Sequence, residues 1–422
     1  METGTGLRGS ASYEAIEDES VPGEGHAGEA GFGEQVLAGA DVLLTGRLDL
    51  VRGLRVGLIT NHTGLVDLGR GVDASTSTID ALHRHPEVRL VALFGPEHAI
   101  HGRAEAGERV EGGADPRTGL PVYSLYGETR RPPPEALQDL DVLLFDIQDI
   151  GTRYYTYVWT MALAMEAAAS QGVRFVVLDR PNPIGGELVQ GNVLDPAFAT
   201  FVGLYPVPMR HGLTPGELAL FLNVEHGIGV ELDVVPVAGW RRDTWYDDTG
   251  LGWVAPSPNM PSVESAAHYP GTCLFEGTNL SVGRGTDRAF QQIGAPWLAH
   301  EELARRLNAR RLPGVRFEPV VFTPRNPGDG RFGDRSVRGV RLHVTDRRVY
   351  DSPVAGVALL VEIQNLHPDR LTWRVSHFDR LAGTDRLREG VLAGRSVAEL
   401  TAEWPTQIRA FQEAVRPYLL YQ

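Results

Sequence analysis

Four short apolar runs, each followed directly by polar residues, constrain the fold of this chain most strongly. They cover residues 54–60, 88–94, 141–147 and 173–178. Runs of this length are typical of strands that are buried on both faces of a parallel sheet, and helix-like segments separate them. A further run covers residues 230–237. The pattern predicts an α/β fold, with a Rossmann-like parallel sheet in the N-terminal part of the chain.

The second half of the chain has a different pattern. Residues 240–294 contain many Gly, several Pro and the asparagines Asn259 and Asn279, and helices and strands come after them in mixed order. The predicted elements are a helix at 301–311, strands at 315–322 and 337–344, and helices at 354–366, 397–404 and 407–418. We therefore expect a Rossmann-like catalytic domain over residues 35–250. A smaller α+β auxiliary domain over residues 251–422 is expected to contribute to the cleft.

Two helices are predicted in the first half from local signals. Apolar residues recur at three- and four-residue spacing from Arg153 to Ser170, which predicts a helix there. The sequence Thr214-Pro-Gly-Glu217 is a capping box with Pro at the first helical position, which predicts a helix that continues to about Glu225.

The composition excludes several classes of function. A formal charge of −14 argues against nucleic-acid binding, and the absence of Lys excludes Schiff-base chemistry. The single cysteine, Cys273, excludes an internal disulfide and a multi-cysteine metal site. No run approaches eighteen apolar residues, so no membrane span is expected.

The first 34 residues are rich in Gly and Glu and have no apolar core of a signal peptide. We predict a disordered tail there, and a cytoplasmic location for the protein. The tail contains Gly4-Thr-Gly6-Leu-Arg-Gly9, which matches the dinucleotide fingerprint. Because no strand precedes this match and no helix pattern comes after it, we interpret it as a chance match.

Polar side chains come after each buried run, and a parallel sheet brings such strand ends to one edge. These residues are Asn61, Glu97, His98, Asp146, Gln148, Asp149, Asp179 and Asn182. Carboxylates in separate environments are the working groups of glycoside hydrolysis. Glu97 comes after Gly95-Pro96, which ends the strand ladder abruptly and delivers a carboxylate to this edge.

The same residues leave a metal site open as an alternative. Glu97-His98-x-x-His101 and Asp146-x-x-Asp149 offer nitrogen and oxygen ligands. The zinc motif His-Glu-x-x-His requires a helix, however, and Gly95-Pro96 precludes one here. We predict no metal, and a metal-dependent hydrolase is the alternative.

Two loop segments of the second half, the second of them glycine-rich, favour a polyhydroxylated, anionic ligand. They are Ser257-Pro-Asn259-Met-Pro261 and the segment from Glu276 to Thr286, which contains Asn279 and Arg284. Amides bind hydroxyl groups, and Arg binds a carboxylate through two parallel hydrogen bonds. We also expect one of Tyr154, Tyr155 and Tyr157 to stack on a sugar face.

Five of these motifs together resemble a bacterial family whose characterised members are exo-β-N-acetylmuramidases. They are Phe94-Gly-Pro-Glu97-His98, the segment Phe145–Tyr157, Asp179-Arg-Pro-Asn182-Pro-x-Gly185, Ser257–Pro261 and Glu276–Thr286, in this order. The resemblance covers about residues 36–422 and implies an active cleft between two domains. It also implies the release of terminal N-acetylmuramic acid from peptidoglycan fragments, without a cofactor. In the family the glutamate of Gly-Pro-Glu-His is the favoured catalytic residue, which here is Glu97.

On this basis we predict catalytic residues Glu97, Asp146 and Glu276, with Asp146 preferred over Glu276 as the partner of Glu97. The predicted substrate-binding residues are Asn61, His98, Gln148, Asp149, Arg153, Tyr157, Asn182, Asn259, Asn279 and Arg284. Arg153 and Arg284 are the candidates for binding the lactyl carboxylate of muramic acid. The expected partners are peptidoglycan-derived saccharides, and a catalytically silent saccharide-binding protein is the second alternative.

Overall fold

A mostly parallel sheet forms the centre of the N-terminal part in the computed structural model. The structure describes residues 35–422 except 69, 71, 98–99, 101–112 and 128. The predicted tail and its glycine motif therefore lie outside the described residues. The strands are β1 (Arg55–Thr60), β2 (Leu65–Val66), β3 (Thr76–Ser77), β4 (Arg89–Gly95), β5 (Gly113–Ala114), β6 (Pro121–Ser124), β7 (Val142–Asp146), β8 (Arg174–Leu178), β9 (Gln190–Val193), β10 (Pro208–Arg210), β11 (Leu232–Val235), β12 (Gln292–Ala295), β13 (Val315–Phe322) and β14 (Val337–Val344).

Helices cover the sheet and make up most of the C-terminal part. They are α1 (Gly39–Gly46), α2 (Thr78–Arg84), α3 (Pro134–Leu137), α4 (Tyr157–Gln171), α5 (Pro215–Glu225), α6 (Val263–Thr272), α7 (His300–Ala309), α8 (Ser352–Leu366), α9 (Val375–Ala382), α10 (Arg386–Leu392), α11 (Val397–Leu400) and α12 (Trp404–Val415). Of the helices that the structure describes, none is long and apolar enough to cross a membrane.

The main sheet has the strand order of a doubly wound fold. Within the described residues its order is β11-β8-β7-β1-β4-β6-β5, and every pair except β5 with β6 is parallel. Numbered along the chain, the six parallel strands lie in the order 6-5-4-1-2-3, and the chain reverses direction across the sheet at β1. The predicted Rossmann-like sheet is confirmed.

Alternation along the strands divides the core into two layers. Val56 and Leu58 of β1 face one side, where they pack in a cluster with Leu43 of α1 and Leu82 of α2. Ile59 belongs to the cluster on the opposite side. That second cluster continues from β7 and α4 through α6 to the buried helix α8, so one hydrophobic core joins the sheet to the C-terminal part.

The C-terminal part contains an antiparallel sheet in the order β12-β14-β13, against which α7 packs. The predicted strands at 315–322 and 337–344 are confirmed to the residue. In this C-terminal part, strand β12 and helices α6, α9 and α10 have no counterpart among the predicted elements. The position of the boundary between the two predicted domains, after residue 250, stays a prediction.

Two local predictions of the first half had different outcomes. The capping box is confirmed: the Thr214 side chain accepts from the Glu217 N–H, and the Glu217 side chain accepts in return. The helix predicted from Arg153 begins only at Tyr157. The residues before it form buried turns, in which Gly151 has φ 75°, a left-handed conformation that glycine adopts without strain.

Candidate active site

A cavity of about 450 Å³ lies beyond the carboxyl ends of β4, β6 and β7. This volume is in the range that holds a small organic ligand. Its walls come from both halves of the chain: Glu97, Tyr126, Arg130, Tyr154, Tyr155, Thr156, Tyr157, Thr200, Phe201, Val202, Ser257, Met260, Tyr269, Glu276, Arg284, Phe290, Gly328, Asp329, Arg331, Arg374, His377, Arg380 and Leu381. Of the predicted site residues, Glu97, Tyr157, Glu276 and Arg284 therefore meet here.

Hydroxyl groups hold the carboxylate of Glu97 in the cavity wall. Gly95 ends β4, and two residues later Oε2 of Glu97 accepts a hydrogen bond of 2.7 Å from Oγ1 of Thr156. The Tyr126 hydroxyl also hydrogen-bonds with Glu97. Burial, together with the charge of Glu97 and this hydrogen bond, raises the pKa of Tyr126 to about 12. The phenol therefore keeps its proton at neutral pH and donates a hydrogen bond to Glu97.

The second carboxylate of the cavity, Glu276, is paired with Arg284. Its Oε1 lies 2.7 Å from Nε and 2.6 Å from an η nitrogen of Arg284. Burial acts to raise the pKa of Glu276, but the charge and hydrogen bond of Arg284 outweigh it, and the pKa lies below its ordinary value. Glu276 is therefore ionised at neutral pH, and its other oxygen lies 3.6 Å from the Cys273 thiol.

Aromatic rings form one wall of the cavity. Tyr154, Tyr155 and Tyr157 all contribute to the lining, where one of the three was expected. Tyr269 packs against Tyr154 and Tyr155, and it packs edge to face against Phe290, with 4.6 Å between the two ring centroids. The Tyr157 hydroxyl donates to the Pro256 carbonyl at 2.6 Å. Rings held in this way are suited to packing against the apolar face of a sugar.

Arginines make the cavity positive within an acidic protein. Among the described residues, five arginines and three carboxylates line it, whereas the whole chain has a formal charge of −14. The sequence motifs did not point to Arg130, Arg331, Arg374 and Arg380, nor to Tyr126, Thr156 and His377. The spacing Arg374-x-x-His377-x-x-Arg380 places three polar side chains on one face of a helix. This spacing is the sequence feature from which these three residues could have been predicted.

The other predicted catalytic residue, Asp146, does not line this cavity. Its side chain is fully buried, with Oδ1 2.6 Å from Nε of Arg180 and Oδ2 accepting from the Thr78 hydroxyl at 2.5 Å. Burial of an ionised carboxylate requires such compensation, and these two partners supply it. The geometry therefore favours a structural role for Asp146.

Four of the predicted binding residues hold the strand-end loops together and do not line the cavity. Asn61 accepts from the N–H and hydroxyl of Thr63, and Gln148 donates to the carbonyls of Asp149 and Pro181. Asp149 accepts from the Gly151 N–H at 2.7 Å, two residues ahead, so it closes a turn and does not cap α4. Asn182 donates to the Leu213 carbonyl.

The remaining predicted binding residues have separate environments. Arg153 is fully buried, and its guanidinium donates to the carbonyls of Asn192, Val207, Leu381 and Ala382. Asn259 is buried outside the lining. Asn279 pairs with the backbone of Arg370 and Thr372. His98 lies outside the described residues.

The described residues contain no group of three His, Cys, Asp or Glu side chains arranged to hold a metal ion. The alternative metal set of Glu97, His98 and Asp146 is only partly described, and its Asp146 is engaged by Arg180 and Thr78.

A doubly wound sheet binds its ligands beyond the strand ends, and two carboxylates in such a cavity, Glu97 and Glu276, are the groups that a glycoside hydrolase requires. Comparison with known proteins gives the family. Residues 56–264 match the family model described as the N-terminal part of exo-β-N-acetylmuramidase NamZ, and residues 267–421 match the C-terminal part. The chain belongs to this family of glycoside hydrolases, and the resemblance found in the sequence is confirmed.

Individual relatives agree with the family assignment. The chain is 44% identical over 389 residues to the peptidoglycan β-N-acetylmuramidase NamZ of Bacillus subtilis (strain 168), which covers 92% of each chain. It is similar to the crystal structure of a DUF1343 family protein from Bacteroides fragilis NCTC 9343, with a TM-score of 0.84, 39% identity and coverage of 92% and 99% of the two chains. The crystal structure of a second DUF1343 family protein from the same organism is similar with a TM-score of 0.75 and 31% identity. This similarity covers 92% of the present chain and 99% of that protein.

Proposed function

We propose that this chain hydrolyses the β-glycosidic bond of a terminal N-acetylmuramic acid at the non-reducing end of peptidoglycan fragments, with Glu97 as the proton donor. The observation that carries the assignment of Glu97 is its position in the cavity wall, where Thr156 and Tyr126 fix its carboxyl group. Membership of the exo-β-N-acetylmuramidase family supports the reaction.

In the proposed reaction the protonated carboxyl group of Glu97 gives its proton to the glycosidic oxygen as the bond from C1 to that oxygen breaks. The electron pair of the bond leaves with the oxygen, and positive charge develops at C1 and the ring oxygen. Water then adds its hydroxyl group to C1, and its other proton restores the carboxyl group of Glu97. The net reaction adds one water across one bond.

The positive charge that develops on the sugar needs a nearby anion, and we assign this role to Glu276. Glu276 lines the cavity and is ionised, whereas Asp146 lies outside it and neutralises Arg180. Charges that are positioned before the reaction stabilise a transition state without a cost of reorganisation.

Turnover of a chromogenic N-acetyl-β-muramide by the purified protein tests the proposal, together with release of N-acetylmuramic acid from a muramic acid–glucosamine disaccharide. We expect turnover by the wild type and a loss of at least about a hundredfold for Glu97→Gln, the usual scale of acid–base catalysis. Binding of the disaccharide without any turnover by the wild type would instead indicate a saccharide-binding protein. Equal activity of a folded Glu97→Gln variant would remove Glu97 from the mechanism.

A further inference from the structure

Helix α9 presents three polar side chains to the active cavity. Arg374 immediately precedes the helix, and His377 and Arg380 come at successive intervals of three residues, so the three side chains share one face. All three line the cavity, as does the adjacent Leu381. No other element of the described chain contributes two cavity-lining arginines from one helical face.

The segment that carries Glu276 fixes α9 in this position. The N–H of Arg374 donates to the Gly277 carbonyl at 2.8 Å, and the N–H of Thr372 donates to Oδ1 of Asn279 at 3.1 Å. A Cβ atom on Gly277 would lie 2.5 Å from Cα of Phe378, so the close approach of α9 requires glycine there. The motif Glu276-Gly-Thr-Asn279 therefore sets the position of α9 relative to the cavity.

The arginines of α9 differ from Arg284 and Arg331 in how they are engaged. Arg284 is paired with Glu276, and Arg331 donates to the carbonyls of Leu280 and Glu276. Within the described residues the guanidinium of Arg374 makes no ion pair or hydrogen bond, and that of Arg380 donates only to Nδ1 of His377, at 2.6 Å. Arg130 also lines the cavity without an ion pair among the described residues, but its guanidinium lies over the Phe201 ring, with Cζ 4.1 Å from the ring centroid. Helix α9 therefore presents two positive groups to the cavity that have no anion of the described chain paired to them.

His377 lies between the two arginines on α9 and is a neutral hydrogen-bond donor. Burial and the charge of Arg380 lower the pKa of His377 to about 4, so the ring is neutral at neutral pH. Because Arg380 can only donate, Nδ1 of His377 accepts, and the remaining proton is on Nε2. The face of α9 thus offers two cations and one neutral N–H.

We propose that Arg374 and Arg380 bind the lactyl carboxylate that distinguishes a muramic acid residue from a glucosamine residue, and that they set the preference of the enzyme for muramides. The inference rests on the proposed function, because it assigns the part of that substrate which α9 contacts. A planar guanidinium matches a carboxylate with two parallel hydrogen bonds, and both side chains are available for this contact. Arg153 and Arg284, the candidates from the sequence, are already engaged by backbone carbonyls and by Glu276.

The test compares three chromogenic β-glycosides: N-acetylmuramide, its methyl ester at the lactyl group, and N-acetylglucosaminide. The ester keeps the shape of the lactyl group but removes its charge. For each enzyme the ratio of kcat/KM for the muramide to that for the ester is measured, and the glucosaminide, which has no lactyl group, is the second uncharged reference. Arg374→Ala and Arg380→Ala are expected to lower this ratio by about tenfold to a hundredfold, and Arg374→Lys to lower it less.

A matched control is Arg409→Ala on α12, an exposed arginine that does not line the cavity. We expect its ratio to equal that of the wild type. Equal ratios in the wild type and in both α9 variants would overturn the inference, as would a wild type that hydrolyses acid and ester equally well. Circular dichroism and thermal unfolding establish that each variant is folded.

A binding measurement separates failure of this inference from failure of the proposed function. Free N-acetylmuramic acid and N-acetylglucosamine are titrated by calorimetry into the wild type and the α9 variants. Absence of turnover by the wild type would refute the hydrolase assignment. In that case the inference would still be supported if the wild type bound N-acetylmuramic acid more tightly than N-acetylglucosamine, and if Arg374→Ala and Arg380→Ala abolished this preference. Equal affinities for N-acetylmuramic acid and N-acetylglucosamine, unchanged by either substitution, would overturn the inference.

Discussion

Nε of Arg180 lies 2.6 Å from Oδ1 of Asp146, and both side chains are buried beneath the strand ends. An η nitrogen of Arg180 also donates to the Leu65 carbonyl at 3.0 Å, and the Thr78 hydroxyl donates to Oδ2 of Asp146. The pair thus ties β7 and β8 to the segments around β2 and α2. The carboxylate at the end of β7 stabilises the sheet edge on which the cavity is built.

The first prediction concerns this pair. Asp146→Asn leaves Arg180 as a buried charge without its anion, and removal of one partner of a buried pair typically costs about 3 kcal/mol or more. We expect the free energy of unfolding in urea to fall by this amount, while the folded fraction keeps kcat within about threefold of the wild type, since the residue does not line the cavity. A variant of wild-type stability with a large loss of kcat would contradict this structural role and restore Asp146 as a catalytic residue.

The second prediction concerns Arg153, whose guanidinium donates to four backbone carbonyls. Burial lowers the pKa of Arg153 to about 10, so the residue keeps its charge at neutral pH. Arg153→Met keeps the apolar stem but leaves four carbonyls without a donor, and we expect the free energy of unfolding to fall by about 3 kcal/mol or more. Arg409→Met, at an exposed position, is the control and should change it by less than about 0.5 kcal/mol. Equal stability of both variants would refute the stabilising role of Arg153.

The third prediction concerns the hydrogen bond from Thr156 to Glu97. Thr156→Val removes the hydroxyl at nearly constant volume and leaves the carboxyl group less well oriented, so we expect kcat to fall by about tenfold with little change in KM. Thr156→Ser keeps the donor and should retain most of kcat. The pH profile of kcat is expected to move in Thr156→Val and not in Thr156→Ser; a parallel loss in both variants would indicate packing rather than the hydrogen bond.

The fourth prediction concerns the pH dependence of stability. Burial raises the pKa of Asp179 from 3.8 to about 6, against hydrogen bonds from the hydroxyls of Tyr421 and Thr214 and the N–H of Gly216, which lower it. The folded state therefore binds this proton more tightly than the unfolded state. The resulting stabilisation is present below about pH 4 and is lost as the pH rises through about 6, on the order of 3 kcal/mol in total.

Asp179→Asn has no carboxyl group to ionise and serves as the reference. We expect the free energy of unfolding of the wild type to decline relative to that of the variant between about pH 4 and pH 7. Chemical denaturation at a series of pH values measures both curves. Curves that stay parallel across this interval would show that Asp179 does not titrate with a raised pKa in the folded protein.

Local patterns in the sequence were sufficient to predict much of the fold. The apolar runs predicted five of the parallel strands, because a short apolar run between turn-forming residues such as Gly or Pro can form few structures other than a buried strand. They did not predict β6 (Pro121–Ser124), which is only four residues long, begins with proline and has half-buried side chains. The helix expected from Arg153 began at Tyr157, since tertiary contacts of the preceding residues outweighed the helical spacing.

The candidate site was only partly predictable for a related reason. The position of Glu97 beyond a strand end can be inferred from the sequence, because Gly95-Pro96 ends β4 there. The function of the other polar residues depends on partners that are distant along the chain. Arg153 donates to the Leu381 carbonyl, 228 residues away, and α9 was not predicted at all.

The sequence by itself determined the class of fold, through hydrophobic periodicity, and the family, through five motifs in order. Only the tertiary structure decided which charged side chains face the cavity. Asp146 and Arg153 are compensated in the interior, whereas Glu276, Arg374 and Arg380 face the cavity. The physical reason is that a buried charge must find a compensating group, and packing between segments far apart in the sequence determines where that group is.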